Sequence, residues 1–246
     1  MKLNGGSLSL LLLLVAGMGA CQSTKKSTEI NLTLKRELDS LDVVDQRYRK
    51  LLVGGPGMEV RFDSVARAAG IPPEQVGPYL SQRMVTQDSL NIKRVGQIIG
   101  QYGYPGKTLV GEPTNEVALL VIQHSTRIPR YLKLVEQEAA KGEVPFYLYA
   151  RMLDRHLMYQ NQTQLYGTQG CSYGVLNPQT GQRETVSFIW PIEDAGRVNE
   201  RRKKAGFDST VEENSLRLGI PYKPLTLAEA LRIKQASEAS SRQATP

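Results

Sequence analysis

Cysteine and histidine are scarce: the 246 residues hold two of each, Cys21, Cys171, His124 and His156. No pair of His, Cys or carboxylates has zinc-like spacing, so neither a metal site nor a bound cofactor is expected. A Gly-x-Ser-x-Gly nucleophile turn and a phosphate loop are also missing, which removes the commonest signatures of serine hydrolases and nucleotide hydrolases. No apolar run reaches the roughly 20 residues that a helix needs to cross a bilayer. The charge balance is +7, but the cations are dispersed and not interleaved with aromatics, so nucleic acid is not an expected partner.

The first 20 residues have the layout of an export signal: Lys2, an apolar run from Leu8 to Val15, then small residues and Met18 up to Ala20. Met18-Gly19-Ala20-Cys21 resembles the lipobox of bacterial lipoproteins, which implies cleavage before Cys21 and acylation of its thiol. Membrane lipid, joined through acylated Cys21, is then the first expected partner, and the cell envelope, periplasmic or outer-membrane face, the expected location. Loss of the leader removes one cation and leaves the mature chain basic. Cys171 would be its only free thiol, and packing explains it better than nucleophilic chemistry. Residues 21–28 read as a tether, 29–235 as one domain, and 236–246, rich in Ser, Ala and Gln, as a disordered tail.

Within the domain, apolar spacing predicts helices over Glu29–Val53, Asp63–Ala69 and Pro73–Met84, then one capped by Asp88 and ended by Gly103. Thr114 is placed to cap the next, whose Val117–Ile122 run is apolar all round and must be buried. Further helices follow at Pro129–Gly142, Phe146–Gln160, Glu193–Ala205, Thr210–Leu218 and Leu227–Ala236. Between about 165 and 190 the texture turns β-branched and aromatic around an Asn177–Gly181 turn, which predicts a β-hairpin packed through Val186, Phe188 and Trp190. The expected fold class is mainly α: a single helical domain with one hairpin laid on it.

Candidate chemistry is sparse. The Phe146–Gln160 helix keeps only a narrow polar stripe of Arg151, Asp154 and Arg155, which either lines a pocket or forms a structural ion pair between Arg151 and Asp154. His124, beside Gln123 at the end of the all-apolar helix, is either a general acid or base or a core histidine bonded to a carbonyl. His156 faces away from Asp154 and reads as packing. Arg201-Arg202-Lys203-Lys204 ends a helix where cations suit its dipole, and Arg201 or Arg202 could also reach an anion.

An ordered motif series runs through Asp88 with Asn91, Gly103–Gly106, Leu109–Gly111, Gln123-His124, Asp154-Arg155, Gln164, Tyr166–Gln169, Pro191–Asp194 and Val198–Arg202. It resembles an uncharacterised bacterial family catalogued as domain of unknown function 6624, and Asp45-Gln46-Arg47 resembles that family's upstream element. The chain departs from it at Asn161-Gln162-Thr163, where the family has a short glycine turn. The resemblance implies no reaction. It groups Asp45, Gln46, Arg47, His124, Asp154, Arg155, Gln169 and Arg202, types that suit binding and proton transfer. Two functions are therefore expected as alternatives. The first is a binding or scaffolding lipoprotein, with a small polar or anionic ligand as second partner. The other is an envelope hydrolase or transferase in which Asp154 or His124 moves a proton while Gln169 and Arg202, with Asp45, Arg47 and Arg155 beside them, hold the substrate.

Overall fold

A computed structural model describes residues 1, 29–52, 54–55, 57–177 and 179–243. The leader after Met1, Cys21 and the tether to Thr28 lie outside the described residues, as do the last three residues of the tail. No helix among the described residues is long and apolar enough to cross a membrane.

The expected mainly helical domain is present, with one two-stranded antiparallel hairpin. Helix α1 (Leu32–Leu52) lies along α3 (Val76–Tyr102), with α2 (Met58–Ala69) packed across one end. After the single turn α4 (Lys107–Val110), helix α5 (Val117–Gln123) passes between α1, α3, α6 (Ile128–Ala140) and α7 (Phe146–Tyr159). Its Val117, Ala118, Leu119, Val121 and Ile122 are all buried, as an all-apolar helix requires. Leu34 and Leu38 of α1, Val95 and Ile98 of α3, Val135 of α6 and Met152 of α7 close the same core.

Two capping assignments made from the sequence are corrected. Asp88 does not start a helix; α3 runs unbroken through it, because nothing between Met84 and Asp88 breaks a helix and the Asp88 carboxylate is bonded to Arg49 instead. Thr114 does not cap α5; its hydroxyl donates to Asp39 at 2.6 Å and accepts from Lys35 at 2.7 Å, and a short 3-10 turn, Thr114–Glu116, leads into the helix.

The hairpin is β1 (Gly170–Leu176) and β2 (Arg183–Ile189), in register from Gly170 opposite Ile189 to Leu176 opposite Arg183. Phe188 and Trp190 are buried, and Val186 packs against them, as expected. Tyr166–Gln169 are not strand, because side chains of α7 and of neighbouring loops take their backbone donors. The unusual Asn161-Gln162-Thr163 segment is built into the turn off α7: Asn161 takes φ 56°, and the Gln162 carbonyl accepts the Trp190 indole N–H at 2.7 Å.

A 3-10 turn at Ala195–Arg197 precedes α8 (Val198–Lys204), so the expected Glu193–Ala205 helix is shorter and is entered through that turn. Helix α9 (Val211–Arg217) opens with a Thr210/Glu213 capping box. Helix α10 (Leu227–Gln243) covers β1 and extends beyond Ala236, where its periodic pattern fades.

Gly167 fixes how closely the hairpin loop meets α9. Its φ is +66°, and an added Cβ would come within 2.6 Å of Val211 Cγ2 and 2.8 Å of Ile192 Cδ1. Gly167→Ala should therefore cost about 2–4 kcal/mol by combining left-handed strain with overpacking, measured as a lowered midpoint in urea unfolding.

Candidate functional site

Between α3, the end of α5, the start of α6 and α7, a cleft of about 460 Å³ opens to solvent. Asp88, Ser89 and Ile92 of α3 form one wall, Gln123 to Thr126 the base, and Arg155, His156 and Tyr159 of α7 the other wall. Of the residues grouped from the sequence for binding or proton transfer, His124 and Arg155 line it; Asp88 and Gln123 of the motif series and His156, read as packing, join them.

The cleft is organised by a chain of charges. Asp45 is 2 % exposed, and His124 Nδ1 lies 3.0 Å from its Oδ2. A carboxylate facing Nδ1 assigns the proton to that nitrogen, and Nε2, on the opposite side of the ring, has no hydrogen-bond partner among the described residues. Gln46 donates to the same carboxylate at 2.8 Å. Arg49, one turn after Asp45, approaches it to 3.9 Å and donates to both oxygens of Asp88 at 2.8 Å. Burial pushes the Asp45 carboxyl up, but the bond and charge of His124, with Arg49 and Gln46, outweigh it and hold the group below its ordinary range.

Arg155 enters from α7. Its Nε donates to Gln169 Oε1 at 3.2 Å and one terminal nitrogen to the Gln123 carbonyl at 3.4 Å, but no carboxylate pairs with it among the described residues. Burial draws the guanidinium below its ordinary value. Gln123 is 5 % exposed, and its Oε1 has no hydrogen-bond partner among the described residues.

The other sequence candidates lie elsewhere. Asp154 is fully buried: Oδ1 accepts the N–H of Leu165 at 2.8 Å, and Oδ2 the N–H and hydroxyl of Thr168 at 3.0 and 2.9 Å, with the Tyr166 N–H between them. Burial raises its pKa against those donors. The ion pair with Arg151, one of the two alternatives for this stripe, is not formed, because backbone amides occupy the carboxylate. Gln169 is tied to Thr168 Oγ1 and, through its backbone, to fully buried Gln164. Arg202 is 2 % exposed; it donates to the carbonyls of Tyr166 and Ser209 at 2.9 and 2.7 Å and lies 4.4 Å from the Phe207 ring centre. Arg47 is exposed, and it does not line the cleft.

Sequence reasoning missed Arg49, although its spacing of four from Asp45 was a readable signal. It also misjudged Asp88, whose partner lies 39 residues away and leaves no local trace.

A family profile described as a family of unknown function, DUF6624, matches residues 66–218. That span contains His124, Asp154, Arg155, Gln169 and Arg202, and begins after Asp45. No curated protein and no solved structure matches the chain.

Two substitutions separate fold from cleft. Asp154→Asn presents an amide N–H to backbone donors and should lower stability by about 2–4 kcal/mol, seen as a lower melting temperature, whereas Arg155→Gln should stay within about 1 kcal/mol. Because the Asp45 carboxyl is depressed, its stabilisation is present above the ordinary carboxylate range and is lost as pH falls through its lowered value. Asp45→Asn should accordingly cost about 1–3 kcal/mol at pH 7, a difference from wild type that shrinks below about pH 4 in denaturant titrations.

Proposed function

The chain belongs to the DUF6624 family of unknown function, and from that starting point we propose that its domain binds a small anionic ligand in the Arg155 cleft, where His124 gives or takes a proton. The observation that carries this reading is a half-buried guanidinium with no carboxylate partner among the described residues, set in the same cleft as an imidazole oriented by Asp45. A cation drawn out of water without a counter-charge is costly, and an anion in the cleft would supply one. The Asp45–His124 arrangement is the general acid–base pattern, a carboxylate fixing the tautomer and leaving the far nitrogen for the ligand. This divides the polar set between the two expected functions. Asp154, Gln169 and Arg202 lock the hairpin loop to the helices, while Asp45, His124 and Arg155 serve the cleft.

Titration calorimetry with orthophosphate as probe tests the reading. Arg155→Gln should weaken binding by roughly 10- to 100-fold, the loss of one charge-assisted contact. His124→Gln, which takes the ring nitrogens out of the cleft, should weaken binding as well. Unchanged affinity in either variant would overturn the reading.

We further propose that the domain is held at a cell-envelope membrane through acylated Cys21, a reading supported by the leader and the lipobox-like Met18–Cys21. Cys21→Ser should eliminate incorporation of labelled palmitate and release the protein from the membrane fraction; undiminished labelling would refute the anchor.

A further inference from the structure

We infer that the ligand of this cleft is a phosphate-bearing small molecule with more than one anionic group, held across the cleft and a groove that adjoins it; the inference rests on the anion-binding reading of Arg155. The groove has a volume of about 540 Å³ and shares Ser89 and Ile92 with the cleft. It is lined by Lys93, one turn beyond Ser89 on α3, and by Arg127 and Arg130 at the start of α6. All three are exposed, and none forms an ion pair among the described residues. Among the described residues no carboxylate lines the groove, and the one that lines the cleft, Asp88, is already neutralised by Arg49.

Four cations, counting Arg155, thus line two adjoining depressions in which the one acid among the described lining residues, Asp88, is already paired with Arg49. A carboxylate group would answer one of these charges, whereas a phosphoryl group carries nearly two near neutral pH and three acceptor oxygens for arginine and lysine donors. Arg155 and His124 would then engage one anionic group, and Lys93 and Arg127 another further along.

The test uses the full chain with two inorganic probes, orthophosphate and tripolyphosphate, in titration calorimetry at one fixed salt concentration. Wild type should bind tripolyphosphate at least about tenfold more tightly than orthophosphate. The double variant Lys93→Gln/Arg127→Gln, at exposed positions where an unchanged melting temperature confirms the fold, should lose that advantage and keep its orthophosphate affinity. Arg155→Gln should weaken both. Equal affinity of the two probes in wild type, or an advantage that survives in the double variant, ends this proposal and leaves the single-anion reading standing. Failure of wild type to bind either probe, or indifference of both to Arg155→Gln, ends the anion reading and this extension with it.

Discussion

The Asp154 carboxylate is the constraint from which the rest of the cleft's geometry descends. A fully buried charge is tolerable only if its acceptor sites are filled, and here the backbone of Leu165–Thr168 and one hydroxyl fill them. Those bonds wrap the loop before β1 over α7 and decide where Gln169 stands. Gln169 Oε1 in turn accepts from Arg155 Nε, which helps set where the guanidinium sits along the cleft. Arg202 seals the outer side of the same loop by bonding the Tyr166 carbonyl. Asp154 thus acts on the cleft through two intermediaries, as a positioning residue.

Charge is distributed unevenly around this frame. The buried carboxylates Asp45 and Asp154 are answered, the first by His124 and Gln46 and the second by amides, and partly buried Asp88 is paired with Arg49. Among the described residues Arg155 is bonded to neutral oxygens alone, one a glutamine amide and the other a carbonyl. A protein interior shaped for stability alone would pair that guanidinium, since a neutral acceptor compensates desolvation less well than a carboxylate. An imidazole with one nitrogen committed to Asp45, beside an arginine with capacity to spare, is an arrangement in which an external anion completes the electrostatics.

Much of the architecture could be read locally. The all-apolar Val117–Ile122 run, the Gly103 and Gly142 stops and the packed Phe188 and Trp190 all follow from residue type and period. Errors arose where a polar side chain had two uses. Asp88 and Thr114 have the chemistry of caps, yet each is bound by a residue on α1, and a partner 39 or 79 residues distant does not alter local periodicity. The same ambiguity affects the α7 stripe: helix geometry put Asp154 within reach of Arg151, while the loop's amides, invisible to a helical wheel, took the carboxylate first.

The sequence alone determined the number and order of most helices, the hairpin and the burial of α5, because a repeat of 3.6 or 2 residues reports which side of an element avoids water. Tertiary structure alone decided which polar residues work together. Asp45 meets His124 across 79 positions, and Arg155 meets Gln169 across 14. A buried polar group takes whichever partner packing brings within about 3 Å, and that choice is made between elements, where periodicity carries no information.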